Sequence, residues 1–439
     1  MKKKMTLQEK LDHRKYKKPN RFIWWVLYHL VIKPFLSPAH NVHVEVKDDI
    51  RKCKGAAFMV YNHQSRVDFI WNTQCAMGRP LNFMVGYNEF FRTHLRFVAK
   101  LLHFIPKKNF TLDLPSMRAV SSIIKQNGVV CFSPEGMSSI NGHNQPVVVG
   151  TGKLLKKYNI PVYLAKGKGA FLTNTKVCID DRKGRIEATM ELLFTPEQLK
   201  SMTSDEIDAK LNEVLWQNDY EYNKQVHVKY ETKGKIATHQ HDLCYRCPTC
   251  GKEFTMIGEG NTIKCTACGA GAEMDDYYEF HPFPGSVMPS DPARWHDEER
   301  KLVYQEIKNN PNFVFEEDVT LGYLPPYKLP PKKASSEICG EGKIRFDHQG
   351  IHFVGTKLGK EFKFDLIYDI INTLGMVDTV QYFSLYVNGE YYDFFPKRPS
   401  VGKILLIVEE MHRFHGGAWK NFPWMDWVYD DNSEITLKH

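Results

Sequence analysis

Ala56-Ala-Phe-Met-Val-Tyr61 runs directly into Asn62-His63-Gln64-Ser65-Arg66-Val67-Asp68. An unbroken apolar run closed by polar turn residues reads as a strand buried on both faces, the pattern of a parallel sheet covered by helices. The polar heptapeptide then falls where a strand gives way to a helix. In open α/β sheets that edge is where ligands sit. A histidine and a carboxylate five positions apart across such a turn can face each other, so Asp68 would fix the His63 tautomer and leave one ring nitrogen to take a proton from a hydroxyl. Spacing alone does not select this pair, because His43 and Asp48 are equally separated. That second pair sits in the alternating stretch Val42-His-Val-Glu-Val46, lacks the preceding asparagine, and reads as structural.

Working outward, Asn82-Phe-Met-Val85, Val129-Val-Cys-Phe132 and Pro161-Val-Tyr-Leu-Ala165 are further apolar runs separated by helical patterns. They predict an α/β domain with a mixed, partly parallel sheet. Asp113 opens a helix that carries Met117, Val120 and Ile124 on one face and stops at Gly128. Two more polar groups fall in the same edge region. Phe104-Ile105-Pro106-Lys107-Lys108 places two cations after an apolar run, and Ser133-Pro134-Glu135-Gly136 forms a turn expected to present Glu135 and backbone amides at a strand end.

Four blocks in this order resemble the glycerolipid acyltransferase family that includes 1-acylglycerol-3-phosphate acyltransferase. Asn62, His63 and Asp68 match the first, Phe104, Ile105 and Lys107 the second, Ser133 to Ser138 the third, and Pro161 with Val162 the fourth. The resemblance covers residues 55–165. It implies an O-acyltransferase with His63 as general base and Asp68 as its orienting partner, and with Asn62, Arg66, Lys107, Lys108, Glu135 and Gly136 on the substrate side. The donor would be a thioester on acyl-CoA or acyl carrier protein, and the acceptor a glycerolipid hydroxyl, foremost 1-acylglycerol-3-phosphate. Transfer would be direct, with Ser65, Ser133 and Ser138 as turn residues. The family's third block carries an arginine for the acceptor phosphate where this chain has Ser138. Either Lys107, Lys108, Arg66 or Arg118 supplies that charge, or the acceptor is a different lysophospholipid or hydroxylated lipid. A catalytically inactive, membrane-recruited scaffold is the reading from another class.

The chain has 439 residues, 42% apolar and 25% charged, enough for several buried cores. Its net charge of +8 is almost all in residues 1–21, which hold nine lysines and arginines against two acidic residues. A basic arm of this kind is no nucleic-acid-binding face, and no nucleic-acid partner is expected. Next comes Phe22-Ile-Trp-Trp-Val-Leu-Tyr-His-Leu-Val-Ile32, eleven residues against the about 20 a helix needs to span a bilayer. Residues 1–40 therefore predict a peripheral anchor on an anionic, cytoplasmic inner membrane face, with Trp24, Trp25 and Tyr28 at the lipid boundary.

Cys247-Pro-Thr-Cys250-Gly and Cys265-Thr-Ala-Cys268-Gly, with fourteen residues between the inner cysteines, have the spacing of a zinc ribbon. Cys244 offers a competing ligand, although Pro248 and Gly251 favour Cys250. The scattered remaining cysteines argue for a reducing compartment. Beyond a connector rich in proline, alternating segments, the Asn388-Gly389 hairpin signal and a helix after Ser400 predict a β-rich module closed by a helix. It resembles pleckstrin-homology or GRAM modules. The expected divisions are 41–235 for the acyltransferase-like domain, 241–275 for the ribbon, 276–335 for a helical and proline-rich connector, and 336–430 for the β-rich module. The ribbon or the last module would meet a protein partner.

Overall fold

The computed structural model describes residues 5–111, 113–329, 336–376, 379–418 and 423–439. Its first sheet takes strands β1 (Val42–Val46), β2 (Ala57–Tyr61), β3 (Leu81–Gly86), β4 (Ile105–Lys107), β5 (Val129–Phe132), β6 (Val162–Lys168) and β7 (Ile186–Phe194), in the order β1-β7-β6-β2-β5-β3-β4. Only β6 and β7 pair antiparallel; the other five pairings are parallel. Strand β2 lies between β5 and β6 and is buried along its length, as its apolar run requires. Its alternate residues serve two cores. Ala57, Met59 and Tyr61 pack with Trp71 and Ile70 of helix α1 (Asp68–Cys75), whereas Phe58 and Val60 pack with Ala119, Val120 and Ile123 of α2 (Leu114–Lys125). Asp113 caps α2 by accepting the Ser116 N–H at 3.1 Å.

The N-terminal apolar run is longer as a helix than as a sequence. Residues 21–39 form one helical stretch, α-helical at Arg21–Leu27 and widened to a π-helix at Tyr28–Leu36 around Pro34, whose missing N–H interrupts the regular ladder. Its 19 residues are long and apolar enough, by length and composition, to cross a membrane. One face is occupied, however. Trp24 and Ile32 pack into the core beside α1, and the Tyr28 ring lies over Gly78. The expectation that Trp24 and Tyr28 meet lipid is thereby corrected: both are buried, while Phe22, Trp25, Leu30, Val31 and Phe35 are exposed. Lys2, Lys3 and Lys4 fall outside the described residues.

Strands β8 (Met256–Glu259), β9 (Thr262–Cys265), β10 (Gly271–Met274) and β11 (Phe280–Pro282) make a small antiparallel sheet. It is built into the molecule. Cys244, Cys247, Cys265 and Met274 share a core with Phe171, Leu172 and Tyr220 of the first domain and with Leu437 of the C-terminal tail.

The last sheet is antiparallel, ordered β15-β14-β13-β12-β18-β17-β16, with β12 (Val314–Tyr323), β13 (Glu337–Asp347), β14 (Gly350–Lys357), β15 (Lys360–Leu366), β16 (Gly375–Met376), β17 (Phe383–Val387) and β18 (Glu390–Pro396). Asn388 and Gly389 take φ of +51° and +80°, the conformation a two-residue hairpin of this twist needs. The module does not begin near 336, because β12 lies at its centre. Its alternation is masked by Glu316, Glu317 and Asp318, and the prolines after it suggested a linker. Nor is the helix before it a connector: α3 (Pro292–Asn309) buries most of its surface and packs on α4 (Val401–Phe414). His412, in the last turn of α4, is buried with Nδ1 2.6 Å from the Tyr368 carbonyl. Arg398 bonds Glu317 and lies over the rings of Phe254 and Phe315.

Between α3 and α4, Arg300 donates from Nη1 to Glu410 at 2.7 Å and from Nη2 to Glu409 at 2.6 Å, all three side chains being at most 5% exposed. Removing the cation takes away the buried charge partner of Glu409 and one of the two beside Glu410, which keeps Arg413 Nε at 3.3 Å, and a broken buried pair costs about 3–5 kcal/mol. Arg300→Met should therefore lower the urea midpoint of this module markedly, and adding Glu409→Gln and Glu410→Gln should recover much of the loss. Tryptophan fluorescence during urea titration reads both.

Candidate functional site

The turn after β2 is organised by one carboxylate. Asp68, the first residue of α1, accepts from the Gln64 N–H (2.8 Å), the Ser65 N–H (3.1 Å), Ser65 Oγ (3.2 Å), Trp71 Nε1 (3.1 Å) and His63 Nδ1 (2.8 Å). Its side chain is 3% exposed and that of His63 30%. The helix N-terminus favours the negative charge there. An ionised carboxylate can only accept, so Nδ1 carries the imidazole proton and Nε2 the lone pair.

The third block holds the same histidine by its backbone. His63 N–H donates to Glu135 Oε1 at 2.8 Å, and its carbonyl accepts from Ser139 N–H at 2.7 Å. Glu135 Oε2 takes the Gln145 N–H at 3.0 Å. This corrects the expectation that Glu135 faces substrate: it is fully buried and braces the backbone. Burial pushes its carboxyl up to about 8, against the N–H donors of His63 and Gln145, which lower it. Asn62 is likewise a brace, exchanging two hydrogen bonds with Gly167 on the adjacent strand β6. Gly136 has φ +78°, and a Cβ there would meet Phe110 and Val148 at 3.0 Å, so the turn itself demands glycine. Ser65 and Ser133 spend their hydroxyls within their turns.

The expected cations divide. Lys107 ends β4 at the sheet edge, and desolvation lowers its ammonium. Lys108 lies over the Tyr87 ring at 4.8 Å. Arg118 is exposed on α2. Arg66 turns toward the 174–182 loop, donating to Asn174 Oδ1 (3.2 Å) and the Ile179 carbonyl (3.0 Å). The sequence reading missed Lys176 in that loop. Its Nζ donates to Ser138 Oγ at 2.9 Å, at the position where the family pattern has arginine. No signal near residue 176 marks it, since only the tertiary fold brings the two segments together. His43 and Asp48 are separate: His43 Nε2 lies 2.9 Å from Asn41 Oδ1, and Asp48 accepts the Leu192 N–H.

Cys247, Cys250, Cys265 and Cys268 gather with all four sulfurs within 4.8 Å of one another, including pairs at 3.7 and 3.8 Å. A tetrahedral zinc with thiolates at about 2.3 Å sets its sulfurs about 3.8 Å apart, so the donor set fits that ion. Gly251 and Gly269 make matching turns, their N–H groups donating back to the carbonyls of Cys247 and Cys265 at 2.9 Å. Cys244 lies apart, against Gln240 and the Pro292 carbonyl. His239, His241 and Asp242 also cluster. There, Gly258 N–H donates to His241 Nδ1 at 2.9 Å, leaving the proton on Nε2 toward Asp242, so that His241 offers no lone pair to a metal.

Residues 41–164 match the family model described as Acyltransferase. Among solved structures, the 1-acyl-sn-glycerophosphate (LPA) acyltransferase PlsC from Thermotoga maritima is similar at 20% identity, covering 40% of this chain and 69% of that one, with a TM-score of 0.33. No curated protein matches. The His63–Asp68 turn and the Glu135 brace both lie within the span that matches the Acyltransferase family model.

Proposed function

We propose that this chain is a membrane-surface O-acyltransferase that moves a fatty acyl group from an acyl thioester, on coenzyme A or acyl carrier protein, to the hydroxyl of a lysolipid, foremost 1-acylglycerol-3-phosphate. The observation that carries this reading is the His63 Nδ1 to Asp68 contact, with the basic Nε2 held at the carboxyl end of a central strand. Nε2 takes the proton as the acceptor oxygen attacks the thioester carbonyl. The tetrahedral oxyanion is met by backbone N–H groups, and its collapse expels the thiolate, which recovers the proton from the imidazolium. The buried Glu135 keeps the His63 backbone still while the ring works. His63→Ala should lower transfer on the order of a hundredfold or more with folding unchanged, and Asp68→Asn should be nearly as damaging. Thioester consumption and lipid product, followed in parallel, check both.

Zinc is proposed for the four cysteines as a structural ion that fixes the β8–β11 segment against the first domain. Its binding would supply local folding free energy. Metal analysis should give about one zinc per chain. Cys247→Ser and Cys268→Ser should release it and loosen residues 244–282 in hydrogen exchange.

Attachment to anionic lipid is proposed for the outer face of residues 21–39 together with the basic residues before it. Because Trp24, Tyr28 and Ile32 belong to the core, deleting the segment would damage the fold. The clean variant is Phe22→Ser with Trp25→Ser and Phe35→Ser, all at exposed positions. It should fold normally and sediment less with anionic vesicles, and rising salt should weaken binding of the parent protein.

A further inference from the structure

His63 is held by its backbone from two directions, and both holds return to one short segment. Its carbonyl accepts the Ser139 N–H at 2.7 Å, and the Ser139 hydroxyl donates in turn to the His143 carbonyl at 2.7 Å. Its N–H donates to Glu135, whose other oxygen takes the N–H of Gln145, two residues past His143. The segment that His143 anchors therefore carries both holds.

The His143 side chain is fixed from outside that segment. Nε2 lies 2.8 and 3.1 Å from the two Asp297 oxygens on α3, and Nδ1 lies 3.1 Å from the Asn144 carbonyl. A carbonyl and an ionised carboxylate only accept, so both ring nitrogens carry protons and the contact is an ion pair. Asn141 Nδ2 sits beside Nε2 and donates to the same Asp297 oxygen at 3.1 Å. The Trp216 ring lies 5.4 Å from the imidazolium, within reach of a cation–π contact. The side chains of His143 and Asp297 are 3% and 13% exposed, so little water screens the attraction. Burial alone would lower the imidazole, but Asp297 and the Asn144 carbonyl outweigh it and hold the ring above its ordinary range. His296, beside Asp297 on α3, is pushed well below its own range by burial, Arg300 and His143. It stays neutral, with Nδ1 3.3 Å from Asn141 Nδ2. Helix α3 packs on α4 and buries Val303 and Ile307 in the core of the C-terminal module.

We infer that His143 and Asp297 are a positioning pair for His63: their ion pair anchors both backbone holds of the proposed base to α3, so the C-terminal module sets where the His63 ring stands. The inference rests on the acyl-transfer reading for its consequence in catalysis and on the hydrogen bonds alone for its geometry. A buried ion pair suits such an anchor, because letting go leaves charge uncompensated away from water. The cost of slack is high in turn, since a base displaced by about 1 Å can lose on the order of a hundredfold in rate.

The experiment compares the full chain with His143→Gln, Asp297→Asn and the two together, using acyl-CoA and a short-chain 1-acylglycerol-3-phosphate. Each single change leaves one buried partner without its counterpart, whereas the double change puts a neutral hydrogen-bonding pair in place of the ion pair. Thermal melts verify the fold. The single variants should lower kcat roughly tenfold to a hundredfold with both KM values within about twofold, and the double variant should regain most of the loss. Hydrogen exchange of residues 62–68 and 135–146 should quicken in the single variants and slow again in the double. In the parent protein, nitrogen NMR of the His143 ring should show both nitrogens protonated at neutral pH, a readout that needs no variant to fold. A neutral His143 ring, a loss confined to KM, unchanged kcat in both single variants, or a double variant no better than the worse single one overturns the inference. If the parent protein transfers no acyl group, the exchange and ring measurements still decide on the anchor, and the acyltransferase reading alone is refuted.

Discussion

The Asp68 carboxylate draws hydrogen bonds from two backbone amides, a hydroxyl, an indole and an imidazole, all between His63 and Trp71. A buried anion imposes that demand, because each unfilled acceptor site would be costly away from water. Satisfying it bends the chain from β2 into α1 and stands the His63 ring at the sheet edge. Ala57–Tyr61 has no freedom to adjust, since each of its faces lies in a separate core. The tautomer of His63 is therefore a consequence of how the strand must end.

A second buried carboxylate ties that turn to the rest of the molecule. Glu135 bonds the backbone of His63 on one side and of Gln145 on the other, and the chain beyond it runs through Met137 and Ile140 into the core of the C-terminal module. The same stretch carries His143, buried and 2.8 Å from Asp297 of α3. The ribbon-like segment is joined as firmly, through Phe171 and Tyr220 on one side and Trp295, whose Nε1 donates to the Arg246 carbonyl, on the other. The added modules are thus walls of the first domain.

Local chemistry was legible in the sequence where it depends on neighbours in the chain. The His63–Asp68 turn, the Asp113 cap, the Asn388-Gly389 hairpin and the paired cysteine knuckles each need only a few consecutive residues. What was hidden depends on contacts across the chain. Glu135 looked like a displayed carboxylate because nothing nearby announces that Gln145 folds back to cover it. Strand β12 was masked by its acidic outer face, and Lys176 by the 38 residues that separate it from Ser138. The apolar run at 22–32 showed its composition, but not that alternate turns would be claimed by the core. Sequence periodicity reports that a face is apolar, not what covers it.

The most direct test follows the acyl group itself. Purified full-length protein is incubated with acyl-CoA labelled at the acyl carbonyl and with 1-acylglycerol-3-phosphate in anionic vesicles, and both lipid and protein are examined by mass spectrometry. Direct transfer by a histidine base predicts labelled diacylglycerol phosphate in step with free thiol, and no labelled serine on the protein at any time. Thioester consumption without a lipid product, or a labelled serine that turns over, would contradict it.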